Sequence, residues 1–362
     1  KMALGNGIGF AFEEGTDVDR VFAPLHGAIL LECVGECEGG ELLGCTTENF
    51  EIRLDGETIH GLSMQGRWEE TLHSIYPYHM PTPKEAAPEV RWDGGMVIAS
   101  TEKFAKPRVL IPVFPGTNCE YDVARVFAME GAAPEIFVVR NRTSAEIEES
   151  AKAFANLIRQ SQIVSVPGGF SGGDEPDGSG KFITAFFRNP EIKEAVTAHL
   201  KEKDGLMIGI CNGFQALIKL GLVPYGEIID TDETCPTLSY NTISRHQSKI
   251  VRVRVATEKS PWLTNVKAGD IFSVPISHGE GRILAEDKLV QELATKGQIL
   301  TQYVDENVLP TNDIQFNPNG STYAIEGLIS PDGRVLGKMG HAERIGDGLY
   351  QNVAGNYDMK LF

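Results

Sequence analysis

Leu206-Met207-Ile208-Gly209-Ile210-Cys211-Asn212-Gly213-Phe214-Gln215 is the stretch on which the fold turns. An apolar run climbs to a cysteine, and a Gly-containing helical segment begins at once. This pattern reads as a buried strand turning sharply into a helix. At such a turn the sulfur projects from the carboxyl edge of a sheet onto the positive end of the helix, which favours the nucleophilic thiolate. Cys211 is therefore read as a nucleophile, and the rest of the chain should supply a base and an oxyanion site.

Outward from this elbow the chain alternates. Val109 to Phe114, Ile136 to Val139, Ile163 to Val166 and Leu206 to Ile210 are apolar strand candidates. Between them lie helical segments at Glu120 to Glu130, at Ser144 to Arg159 (capped by Ser144, with Ile147, Ala151, Phe154 and Ile158 inward), and over most of Lys181 to Lys201. Continuously apolar strands alternating with helices predict an α/β fold, a mostly parallel sheet with helices on both faces. Ligands on such sheets bind beyond the carboxyl ends of the strands.

The N-terminal part reads differently, as a smaller α+β segment. Ala28 to Val34 is a buried-strand candidate. Glu51 to Leu54 and Glu57 to Ile59 flank Asp55-Gly56 as a hairpin. Met64 to Ile75 has helical spacing, with Met64, Trp68, Leu72 and Ile75 on one face. Prolines at 77, 81, 83 and 88, then a charged stretch, mark a linker. The expected boundaries are 1–100 for the first domain, 101–106 for the linker and 107–362 for the second. Lys1-Met2 leading straight into Gly-rich sequence reads as the inside of a longer polypeptide.

A formal net charge of −17 argues against a nucleic-acid or anionic-membrane surface. No apolar run approaches the roughly 18–20 residues that span a bilayer, and no signal peptide is visible. Six cysteines in 362 residues form no disulfide-scaffold pattern. Reduced thiols and a cytoplasmic location are expected.

Three strand-end loops should converge: Pro115-Gly116-Thr117-Asn118-Cys119, Pro167-Gly168-Gly169-Phe170-Ser171-Gly172-Gly173-Asp174, and Cys211 itself. Backbone amides of Gly169 and Asn212 are the oxyanion-hole candidates. A thiol nucleophile needs an imidazole, and the imidazole an orienting group. Two His-x-Glu arrangements offer one, His278-Gly279-Glu280 and His341-Ala342-Glu343. A strand at Arg334 to Met339 would deliver His341 to the sheet edge, but spacing alone leaves the choice open. Cys119 could neighbour the site, with no evident base. Cys33 and Cys37 lack a second Cys/His pair at zinc-site spacing, so no metal site is expected.

Gly209-Ile210-Cys211-Asn212-Gly213-Phe214-Gln215 with His341-x-Glu343 resembles the class I (triad) glutamine amidotransferases. The Cys-Asn-Gly-x-Gln form, Pro167 to Ser171, Pro115 to Glu120, Ser277-His278-Gly279-Glu280-Gly281 and Asn317-Pro318-Asn319-Gly320-Ser321 are similar to the phosphoribosylformylglycinamidine synthase family of purine biosynthesis, over residues 107 to 362. Gly44 to Glu48 and Trp68 to Thr71 resemble the segment before the glutaminase in its large single-chain members. The first 100 residues would then be the tail of the second, aminoimidazole ribonucleotide synthetase-like half.

The resemblance implies that Cys211 attacks glutamine, with His341 as general acid/base and Glu343 as its orienter. It implies that Gln215, Ser277, His278 and Gly279 hold the substrate. Ammonia would pass to upstream synthetase domains, which use ATP and Mg²⁺; the glutaminase itself needs no cofactor. The family often has proline on both sides of the histidine where this chain has Gly340 and Ala342, which predicts a looser turn. The competing readings are an amidotransferase serving another acceptor, such as nucleotide amination, and a catalytically silent module.

Overall fold

A computed structural model describes residues 2–35, 39–74, 86–95, 103–172 and 179–362. Cys37, Ile75, Gly173, Asp174 and the prolines at 77, 81 and 83 lie outside the described residues. The chain divides into two units, 1–80 and 81–362.

In the first unit, Asp55 and Gly56 take φ of 47° and 80°, the left-handed pair that a tight two-residue hairpin requires. Around them Glu51–Leu54 and Glu57–His60 pair antiparallel, as expected. Gly9–Phe12 joins the other edge and Gly44–Thr47 closes a four-stranded sheet. Two expectations fail here. Ala28 to Val34 is not a strand: Ile29 and Val34 are exposed, and no strand among the described residues lies beside it to take its backbone bonds. The helix spans Gly61–Glu70 rather than reaching 75, and of the expected stripe Trp68 and Leu72 are exposed while Met64 is half-buried.

The second unit begins earlier than the linker expected at 101–106. Residues from 86 onward already dock on it. Ala87 and Val90 are buried in its core, the Val90 N–H donates to the Gln302 side chain, and Trp92 bridges Thr257. Burial of these apolar side chains outweighs the break that the prolines suggested.

Its nine-stranded sheet runs Ile271–His278, Gln247–Val255, Ile299–Tyr303, Ile325–Ile329, Val335–Lys338, Leu206–Ile210, Ile163–Val166, Arg108–Val113, Ala133–Val138. The last five are mutually parallel, and the first four extend the sheet by antiparallel pairing. The α/β expectation holds, and the parallel half carries the elbow. Leu110, Ile111, Val164, Met207 and Ile208 are fully buried, because successive side chains point to opposite faces and helices cover the sheet.

The helices differ from expectation in detail. Thr143, not Ser144, caps Ser144–Ile158 by accepting the Glu146 N–H. The 181–201 segment is broken into Lys181–Phe187 and Pro190–Lys201, since Asn189 caps and Pro190 starts the second helix. No helix among the described residues is long and apolar enough to cross a membrane.

Candidate active site

The strand Leu206–Ile210 ends at Cys211, whose φ of 53° and ψ of −107° are strained for any residue with a Cβ. Helix Asn212–Leu220 starts immediately. The glycines around the cysteine make this possible. A Cβ on Gly213 would lie 2.0 Å from the Val166 carbonyl oxygen, and one on Gly209 would lie 2.6 Å from the Leu217 side chain. Glycine at both positions lets helix and sheet close directly beneath the sulfur. The Cys211 N–H is fixed by the Lys338 carbonyl at 2.8 Å.

Gly168, in the next strand's end loop, is the hub. A Cβ there would meet His341 Cε1 at 2.9 Å, Cys119 Sγ at 3.1 Å and Cys211 Cβ at 3.3 Å. The three expected loops therefore converge, and His341 arrives with them. The strand Val335–Lys338 runs parallel beside Leu206–Ile210, with Lys338 opposite Ile210, so the residues that follow reach the same sheet edge as Cys211. The His341 N–H is then held by the Pro275 carbonyl at 2.9 Å.

The two His-x-Glu candidates separate by geometry. His341 Nδ1 lies 2.6 Å from Glu343 Oε1, with both side chains buried. Burial opposes charge on the imidazole, but the Glu343 carboxylate, the Cys211 sulfur and hydrogen bonding to both cysteines raise His341 well above the ordinary value. Burial likewise opposes charge on Glu343, yet His341 and its hydrogen bond bring the carboxyl below its ordinary value. His278 is the opposite case. Burial, with the charges of His341 and His246 added, pushes it down to about 3, and neither ring nitrogen has a hydrogen-bond partner among the described residues. Its neighbour Glu280 does not orient it: Oε2 accepts the Ser179 N–H at 2.8 Å, and the carbonyl accepts from Gln215.

The Asn212 amide is the first of its helix and has no intrahelical acceptor. The Asn212 side chain accepts the Ser171 N–H at 3.1 Å and donates to Gln215 Oε1 at 2.9 Å. This ties the helix that follows Cys211 to the Gly169 loop, where Gly169 has a φ of 140° and packs against Thr117. Gln215, expected on the substrate, is engaged at both ends, since its Nε2 donates to the Glu280 carbonyl at 2.6 Å. It braces Asn212. The Ser277 hydroxyl lies 2.9 Å from His246 Nε2, and the Gly279 carbonyl accepts the Asn241 N–H.

Sequence reasoning undervalued Cys119, buried with its sulfur 3.9 Å from His341 Nδ1 and accepting from Arg344 Nη2 at 3.2 Å. It also missed Lys338 and Glu326, a buried pair behind the His341 turn.

Glu343→Gln keeps the shape and removes the charge. The His341 ring should then titrate below its parent value, read by NMR. The parent's Glu343 contribution to stability is present above the ordinary carboxylate value and lost as acid protonates it. The His341 contribution is present below the ordinary imidazole value and lost as pH rises through the raised one. The variant should therefore be less stable by about 3 kcal/mol near neutrality, the scale for breaking a buried pair. The gap should close toward acid, as measured by Tm against pH.

A family model described as the CobB/CobQ-like glutamine amidotransferase domain matches residues 106–362. The phosphoribosylformylglycinamidine synthase subunit PurQ of Methanococcus maripaludis (strain C7) is 32% identical over 257 residues, covering 70% of this chain and 87% of that protein. The subunit of the same description from Treponema denticola is 36% identical, covering 66% and 88%. A solved chain from the structure of PurLQS from Thermotoga maritima matches with a TM-score of 0.51 at 25% identity, over 71% of this chain and 96% of that one. The chain belongs to the CobB/CobQ-like glutamine amidotransferase family. Its enzymatic class is that of a glutamine amidotransferase.

Proposed function

We infer that this chain hydrolyses the side-chain amide of glutamine and supplies the ammonia for converting formylglycinamide ribonucleotide to the amidine in de novo purine biosynthesis. The observation that carries this reading is the cluster around Gly168, where a strained cysteine elbow meets an imidazole held by a buried carboxylate. The descriptions of the PurQ relatives supply the acceptor.

The Cys211 sulfur adds to the amide carbon, and the amides of Gly169 and Asn212 take the developing charge on oxygen. Each such donor is typically worth about 10²–10³ in rate. His341 gives a proton to the departing nitrogen, so ammonia leaves and a glutamyl thioester remains. Water then adds to the thioester carbon as His341 takes its proton, and glutamate departs from the regenerated thiolate. Glu343 holds the ring throughout. The segment Ser277, His278 and Gly279 lines the α-amino-acid end, where the buried ring nitrogens of His278, without a hydrogen-bond partner among the described residues, can meet a polar ligand. Gln215 acts through Asn212.

Residues 1 to about 100 are the tail of the second synthetase half in a large, single-chain cytoplasmic enzyme. The uncovered apolar side chains of Phe22, Ile29, Leu31 and Trp68 support this, as such side chains ordinarily meet a partner surface. ATP and Mg²⁺ act in those upstream domains.

The test combines the chain with the synthetase domains, formylglycinamide ribonucleotide, ATP and Mg²⁺. Amidine should form with one glutamate released per amidine, and external ammonia should restore amidine formation to Cys211→Ala. Glutamine hydrolysis that responds to a nucleotide base acceptor, and not to formylglycinamide ribonucleotide, would overturn the assignment.

A further inference from the structure

Lys338 and Glu326 sit on neighbouring strands with both side chains fully buried, Nζ 3.1 Å from Oε1. Taking two charges out of water costs about as much as their attraction returns, and two apolar side chains of similar volume would fill the space without that cost. Stability alone does not account for the pair.

The hydrogen bonds that the pair makes to the main chain do. The Gly340 N–H donates to Glu326 Oε1 at 2.6 Å, and Lys338 Nζ donates to the Gly340 carbonyl at 2.7 Å. Both peptide groups flanking the Gly340 Cα are thus gripped. The Thr301 hydroxyl donates to the other carboxylate oxygen and fixes its plane. A Cβ at position 340 would come within 2.6 Å of Val274, 3.0 Å of Glu326 Oε1 and 3.1 Å of Lys338 Nζ, so the grip closes only on glycine. Glycine has the freest backbone of any residue, and the residue that follows it is His341. Meanwhile the Lys338 carbonyl holds the Cys211 N–H.

We propose that Lys338 and Glu326 are positioning residues, a buried ionic clamp on Gly340 that holds His341 in register with Cys211 through the single residue Lys338. The clamp supplies the rigidity that a Gly-His-Ala turn lacks. The proposal rests on His341 as the acid–base group, and a misplacement of about 1 Å there is worth about 10²-fold in rate.

The test is the double variant Lys338→Met/Glu326→Leu in the full chain, which removes both charges and keeps the volume. It should fold with a Tm close to the parent's, lose about 10- to 100-fold in kcat for glutamine hydrolysis and keep KM within about twofold. Its far-downfield NMR proton from the His341–Glu343 hydrogen bond should weaken or vanish. That signal reads the position of His341 even if the parent does not hydrolyse glutamine, which separates failure of the clamp from failure of the proposed function. Parent-level kcat with the downfield proton intact would reduce the pair to packing. If the double variant does not fold, Thr301→Val decides. A fall of about 3- to 10-fold in kcat at unchanged KM supports the clamp, and parent-level kcat overturns it.

Discussion

Cys211→Ala should abolish glutamine hydrolysis, by a factor of about 10⁴ or more, while leaving the fold intact. The substitution removes only the sulfur of a residue that is 4% exposed, and the backbone strain at φ 53° remains for alanine to bear. Loss of a nucleophile in a site that works as a unit is typically the largest single loss such a site can suffer. The second readout is covalent labelling by a glutamine-like electrophile, located by peptide mass. In the parent the label should sit on Cys211, and in the variant it should disappear. Cys119 makes this a demanding check, because its sulfur lies 3.9 Å from the same imidazole. It differs in its surroundings: it accepts from Arg344 and sits at the start of helix Glu120–Met129 rather than on a strained elbow. A label that moves to Cys119, with turnover retained, would reassign the nucleophile.

The elbow was legible in the sequence because its signature is local: an apolar run, the cysteine and a Gly-containing helix start lie within one strand-to-helix turn, where Gly209 lets Leu217 approach. The approach of Gly213 to Val166 on the neighbouring strand is a tertiary contact that only the fold supplies. The choice between His341 and His278 was not local. It depends on Val335–Lys338 pairing in parallel with Leu206–Ile210, while Ile271–His278 lies at the far antiparallel edge of the sheet. His278 is close enough for its charge to be felt by His341, and it is the buried carboxylate 2.6 Å from His341 Nδ1, with no such carboxylate on His278, that marks the acid–base candidate. Lys338 was hidden for a related reason. A lone lysine in an apolar strand reads as a flaw until Glu326 is brought beside it by the antiparallel neighbour, where Gly327 pairs with Lys338. The N-terminal errors run the other way. Ala28 to Val34 has the composition of a buried strand, but composition cannot supply the neighbouring strand that makes one. The prolines before residue 90 suggested a linker, whereas Ala87 and Val90 find a hydrophobic surface to enter.

The histidines carry the second large effect, and it separates two roles that spacing could not. His341→Ala should lower kcat about 10³- to 10⁴-fold and block thioester formation, because the imidazole gripped by the Glu343 carboxylate is gone. His278→Ala should instead raise KM several-fold and leave most of kcat. Burial and the neighbouring charge on His341 push His278 down to about 3, which disfavours its charged form near neutrality and suits it less than His341 to proton transfer. Its two ring nitrogens are buried and have no hydrogen-bond partner among the described residues, which suits a group that meets a ligand better than one that drives chemistry. Rapid-quench measurement of the thioester in both variants reads the chemical step directly, while steady-state kinetics reads the split between kcat and KM. If His278→Ala blocks the thioester and His341→Ala only weakens binding, the Glu343 contact is structural and the acid–base role belongs to the other edge of the sheet.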